Sequence, residues 1–219
     1  MNRLLLSALG CFLAGALVWA VPLPKPKGDV TYLDLQAKGN QKLKDSFHGS
    51  SPGNDLAELP QGEQKLAGVK FKIGEKLIQL AGQNFLTKPE KVEGIKVGLS
   101  FVRLHILHAS GWGNMAADNT VVGKYVVHYQ DKTKETIEIA IGKDVRDWWF
   151  YPDTPGVSRG KVAWVGSNAQ SKAGNGKIRL YLTTWRNPHP KKKVATIDYV
   201  STKTTPAAPF CVAMTAMGK

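Results

Sequence analysis

Two segments carry the residues best suited to holding a ligand. Ser110-Gly111-Trp112-Gly113-Asn114 sets a large aromatic among turn formers. An indole offers a flat apolar face to the C–H face of a sugar, and the Asn114 amide offers both a donor and an acceptor to hydroxyls. The second segment is Arg146-Asp147-Trp148-Trp149. Adjacent residues in a strand project to opposite faces, so one of Trp148 and Trp149 should face inward and the other outward, with Arg146 on the Trp148 face. The expectation is a binding platform of Trp112, Asn114, Arg146, Trp148 and Trp149 at one end of the molecule. Gly111 and Gly113 are read as leaving room for a ligand to reach the Trp112 ring. The competing reading makes each Trp an anchor over the edge of the core, because Trp is highly buried on average.

Other chemistry finds less support. His105 and His108 lie in a strand pattern and are an odd number of residues apart, so they point to opposite faces and cannot chelate one ion together. Core histidines bonded to backbone are expected instead. Zinc spacings such as Cys-x-x-Cys and His-Glu-x-x-His are absent. Gly-x-Ser-x-Gly occurs twice, as Gly49-Ser50-Ser51-Pro52-Gly53 and Gly156-Val157-Ser158-Arg159-Gly160, but both lie in turn-forming runs rather than between a strand and a helix, so neither reads as a nucleophile elbow. Asp147, Asp153 and Asp198 have no context that marks a catalytic carboxylate pair. No catalytic residue is therefore assigned, and the chain is read as a non-enzyme that requires no cofactor. No Gly-rich phosphate loop opens a helix, so nucleotide binding is not expected, and no nucleic acid partner is assigned. Cys211 lies in the apolar run Pro209–Met214, where a buried, inert thiol is expected. The formal charge of +13 is spread along the chain, which suits a solvated surface or long-range attraction to anionic polysaccharide.

The elements that would position these residues are strands. Val69/Phe71/Ile73, Ile137/Ile139/Ile141 and Ile178/Leu180/Leu182 alternate with other residues, which places one face of each run in a core. Tyr125–Tyr129 and Thr196–Val200 are rich in β-branched and aromatic residues. Ser51-Pro52-Gly53-Asn54, Asp153-Thr154-Pro155-Gly156 and Ala173-Gly174-Asn175-Gly176 punctuate the runs. Asp131-Lys132 reads as a hairpin turn. No amphipathic helix stands out, and residues 75–86 fit a short strand and loop. The fold class is all-β, an antiparallel β-sandwich.

Residues 1–20 have the pattern of a secretory signal peptide: Arg3, an apolar stretch from Leu4 to Val18, and Ala20 at the cleavage position. The apolar stretch is shorter than the roughly 20 residues that span a bilayer, though an uncleaved anchor is the alternative. Residues 21–29 alternate Pro with Lys and read as a linker. Residues 30–217 then form one domain with no further membrane span, secreted or in the periplasm.

Several motifs follow in order: Tyr32-Leu33-Asp34-Leu35, Leu59-Pro60-Gln61-Gly62, Gly68–Ile73, Leu104–Ala109, Val122–Tyr129, Asp147-Trp148-Trp149, Ala163-Trp164 and Trp185–Pro190. In that order the chain resembles the galactose-binding-like β-sandwich domains of exported bacterial proteins, of planctomycete type. The resemblance implies a jelly roll whose loops at one end hold a ligand, often a glycan. It also implies a possible structural calcium, for which Asp45, Asp55 and Glu58 are the candidate ligands; three solvated acids is the plainer reading. Function stays open between a carbohydrate-recognition module, an envelope structural or protein-interaction domain without a small ligand, and a small exported hydrolase.

Overall fold

The computed structural model describes residues 28–48 and 51–218. The expected signal segment and most of the linker lie outside the described residues. In chain order the strands are β1 (Val30–Leu33), β2 (Gln41–Lys42), β3 (Gly62–Leu66), β4 (Val69–Ile73), β5 (Lys76–Gln79), β6 (Lys91–Leu99), β7 (Arg103–Gly111), β8 (Val121–Tyr129), β9 (Lys134–Ala140), β10 (Trp149–Phe150), β11 (Lys161–Gly166), β12 (Lys177–Arg186), β13 (Val194–Ser201) and β14 (Ala208–Met217). One 3-10 turn, Gly113–Met115, follows β7, and one helix, α1 (Ala169–Ala173), precedes β12. The Asn168 side chain caps α1 reciprocally with Ser171, a short-range signal that the strand reading passed over.

The fold is the antiparallel sandwich expected from the sequence. One sheet runs β10-β12-β7-β14-β5-β2, with β1 also on β14 and β11 also on β12; the other runs β6-β13-β8-β9. From β5 onward, β5-β14-β7-β12 faces β6-β13-β8-β9. The chain crosses between these two layers at nearly every step, and only β8–β9 is a hairpin within the set. That winding is a jelly roll.

The larger sheet is covered on both sides. Pairing register sets Tyr181, His108 and Cys211 abreast on one face. Across from them lie Tyr125 and Tyr199 of the second sheet, stacked at 4.3 Å. The other face carries Leu107, Leu182, Ala109 and Phe210, and the β3–β4 hairpin packs over it: Thr215 Oγ1 donates to the Lys70 carbonyl at 2.8 Å. Hence β7 and β14 are buried along almost their whole length. A strand buried on both faces reads as a continuous apolar run rather than an alternation, as Ala208–Met217 does.

Polar groups on these strands must be satisfied inside. His105 Nδ1 lies 2.8 Å from Thr184 Oγ1, and His108 Nε2 lies 2.8 Å from Thr183 Oγ1. Both histidines are core residues on opposite faces, as expected, but their partners are threonine hydroxyls rather than backbone. Cys211 is fully buried, and burial pushes its thiol up to about 12. The β8–β9 turn places Lys132 at φ 68, in the left-handed region that favours glycine, while Thr133 donates to Asp131.

Burial holds His105 and His108 down to about 4 each. Both are neutral when folded but titrate near 6.5 when unfolded, so the stability tied to their neutral form is complete above about 6.5 and is lost as pH falls toward 4. Linkage allows up to about 3 kcal/mol for each. Urea unfolding at pH 4.5 and pH 7.5 should show a much lower midpoint in acid, and His108→Gln should remove only its own share of that difference, leaving those of His105 and of His48, which burial holds down to about 3.

Candidate functional site

At one end of the sandwich, the β7–β8 loop and the 142–156 segment enclose a pocket of about 610 Å³. That is within the roughly 300–1,000 Å³ common for small-molecule sites. Trp112, Asn114, Arg146, Trp148 and Trp149 all line it, so the residues singled out in the sequence are brought together. His48, Asp118, Asp147 and Tyr151 join them.

Asp147 builds this end. Its Oδ1 accepts from the Trp149 amide at 2.8 Å. The Gly113 and Asn114 amides also bond the carboxylate. One side chain therefore ties the 3-10 turn after β7 to the start of β10. Burial raises Asp147 to about 6, against the lowering effect of those three amides and a weaker one from Arg179. Sequence reading gave this acid no context, because the bond between the loops spans more than thirty residues.

The glycines serve the protein rather than a ligand. A Cβ on Gly111 would stand 2.3 Å from the His48 ring, and one on Gly113 would stand 2.6 Å from the Asp147 backbone nitrogen. The room they leave is filled by the chain itself, which corrects the expectation of open access to Trp112. The Trp112 ring lies 4.4 Å from His48 and 5.4 Å from Phe85, centroid to centroid, and is half-buried. Its backbone is left-handed, φ 49, an unfavourable state for a bulky side chain that the surrounding contacts impose.

The other members divide. Trp148 is buried against Phe47 and Phe210, while Trp149 is half-buried and donates its indole N–H to Asn54 Oδ1 at 3.0 Å. Trp148 sits in a bend and Trp149 opens β10 while also packing against the core, so the pair does not follow the strand alternation expected for it. Arg146 is not the free donor that was expected. Its Nη1 and Nη2 form a two-point bond to Asp118 at 2.7 and 2.8 Å, and its Nε donates to the Gly156 carbonyl. The segment is not regular strand until Trp149, so the assumed shared face of Arg146 and Trp148 does not apply. Asn114 is exposed at the rim. His48 was missed altogether. Burial holds its imidazole down to about 3, so at neutral pH it is an uncharged wall of the pocket.

Asp45, Asp55 and Glu58 do not converge as proposed calcium ligands. Glu58 is bonded to Lys172 and to Ser167, and Asp55 accepts the Ala57 amide in a local turn. Among the described residues, no three His, Cys, Asp or Glu side chains are grouped to hold a metal ion. No helix among the described residues is long and apolar enough to cross a membrane. No family model, no curated protein and no solved structure matches the chain.

Gly113→Ala would drive a methyl group into the peptide backbone at Asp147, which cannot yield as a flexible side chain can. Chemical denaturation should show a loss of about 1–3 kcal/mol, the cost of overpacking a close contact. Gly156→Ala, whose Cβ would meet nothing within 4 Å, serves as the control and should leave stability nearly unchanged.

Proposed function

We propose that the chain is an exported, non-catalytic recognition module that binds a carbohydrate in the pocket beside Trp112. One observation carries the reading: aromatic surfaces and polar groups converge on a single concave site held by loops at one end of a jelly roll. Trp112 and the exposed Tyr151 supply ring faces. Asn114 and the remaining N–H groups of Arg146 supply hydrogen bonds to hydroxyls, and His48, neutral at physiological pH, adds no charge. The Asp118–Arg146 pair cancels its own charge, which suits a neutral ligand. The resemblance to galactose-binding-like domains rests on the sequence motifs alone and agrees with this reading of the loops.

Hydrolysis is the reading that a carboxylate pair in one pocket would favour, and Asp118 and Asp147 both line this one. Recognition is preferred because neither acid is available as a base or nucleophile. Both Asp118 oxygens are held by Arg146, and Asp147 is engaged by backbone amides.

Trp112→Ala should weaken glycan binding by roughly 1–3 kcal/mol, the scale of removing a large apolar contact. A glycan array identifies the ligand, and calorimetry on the wild type and variant gives the difference. If no sugar binds, or if Trp112→Ala binds the array hit equally well, the pocket is not the recognition site. Export has its own check. Mass spectrometry of the protein from its native cells should find an N-terminus near Val21, whereas an intact Met1 in membranes would indicate an anchor.

A further inference from the structure

The end of the sandwich opposite the Trp112 pocket gathers cations that are scattered along the sequence. Strand pairing sets Arg186, Arg103 and Met217 in one row across β12, β7 and β14. The segment between β12 and β13 closes over this end. Ser100 Oγ donates to the Lys191 carbonyl at 3.3 Å, and the Gln130 amide donates to the Lys193 carbonyl at 2.9 Å. Lys132 lies in the β8–β9 turn and Lys134 opens β9, and Lys192 Nζ joins that turn to the same segment through Thr133 Oγ1 at 3.0 Å. Lys132, Lys134, Arg186, Lys191 and Lys193 are exposed, and Arg103 is half-buried. None of these six forms an ion pair among the described residues.

The acids in these loops are already used. Lys192 Nζ holds Asp131 at 2.7 Å, and His189 Nε2 holds Glu135 at 3.2 Å. Asp29, just before β1, adds one negative charge. Arg103 and Arg186 stand directly opposite each other, an arrangement that costs stability between like charges and that a counter-charge from outside relieves. The chain also enters the sandwich here. Val30 opens β1 opposite Met217, in the row of the two arginines. Lys25 and Lys27 precede it in the sequence, and the apolar stretch Leu4–Val18 precedes them.

We infer that this basic end docks on an anionic lipid surface, with the Trp112 pocket facing away from it. Dispersed Lys and Arg side chains suit headgroup phosphates, which move in the plane of a bilayer and need no cleft to meet them. A basic patch beside an apolar segment reinforces that segment's attachment, because two weak signals together hold where one does not. Where cleavage removes residues 1–20, the patch alone gives reversible, salt-sensitive binding. A sugar is held by ring faces and directed polar groups, and those are gathered at the opposite end. The docking does not depend on what that pocket binds.

The test uses protein isolated from its native cells, with whichever N-terminus it carries there. It is sedimented with vesicles of phosphatidylcholine alone, or of phosphatidylcholine and phosphatidylglycerol in equal parts. Binding should be about tenfold tighter or more to the anionic vesicles and should weaken as sodium chloride is raised. The triple variant Arg186→Gln, Lys191→Gln, Lys193→Gln should lose most of that preference. Lys143→Gln, Lys161→Gln, Lys177→Gln removes the same charge from exposed positions outside this end and should keep it. Equal binding to both vesicle types overturns the docking. So does an equal loss in the two triple variants, which would make the effect one of net charge. Tight binding to dextran sulfate with no preference between vesicles would assign the patch to a polyanionic glycan and also overturn it. Should the first triple variant fail to fold, the single loop change Lys191→Glu decides the question by the same preference.

Discussion

The structure depends on a sheet that must bury both of its faces. In a sandwich with one solvated side, polar side chains on the outer face of a strand cost nothing. Here β7 and β14 are buried along almost their whole length, with the second sheet against one face and the β3–β4 hairpin reaching β14 on the other. Every polar group they carry needs a partner inside the protein. Thr183 and Thr184 serve the two histidines, one on each face. Gln79 on β5 spends its amide N–H groups on the Leu80 and Ala208 carbonyls. Not every atom finds one: Gln79 Oε1, His105 Nε2, and Arg179 Nε and Nη2 have no hydrogen-bond partner among the described residues.

The same constraint shapes the pocket. At Gly111 strand β7 leaves the doubly covered sheet, and the chain must turn without exposing unpaired amides to an apolar end. The turn is made by placing Trp112 in a left-handed conformation and directing the Gly113 and Asn114 amides at Asp147. That carboxylate loses hydration in the process, so its pKa rises although three N–H groups favour its charged form. The pocket is therefore a by-product of how the sheet ends as much as a surface feature. Its walls, including the His48 ring packed where Gly111 has no side chain, are fixed before any ligand arrives. Binding to a preformed wall avoids the entropy of ordering loops.

Legibility in the sequence followed periodicity. Strands with alternating burial, such as Val69–Ile73 and Lys134–Ala140, were readable because one face of each is wet. The jelly-roll winding was not readable from periodicity, since it is set by which strands pair across long separations. In the site, Trp112, Asn114, Trp148 and Trp149 were found through their unusual composition, and the pocket does collect them. Their roles were less legible. Arg146 was read as a donor because nothing local shows that Asp118, in another loop, would occupy it. The two glycines were read as gaps, when the matching bulk came from His48 and from the Asp147 backbone. Asp45, Asp55 and Glu58 were grouped by nearness in sequence, and Glu58 instead reaches Lys172 beyond β11.

The contrast between Arg146 and Arg179 shows why residue type alone decides so little. Both are arginines near the same end of the sandwich, and each feels the other's charge. Arg146 reaches a half-exposed carboxylate and a loop carbonyl, so its charge is cancelled by a pair that water also supports. A pair of that kind adds little to stability, but it holds the loop bearing Asp118 against the loop bearing Asp147. Arg179 is two residues from Tyr181 on β12, where burial strips its water and Asp147 attracts it without a hydrogen bond. One guanidinium therefore acts as a strut within the pocket wall. The other lies against the Phe150 and Tyr181 rings, with Asp147 as the carboxylate that attracts it.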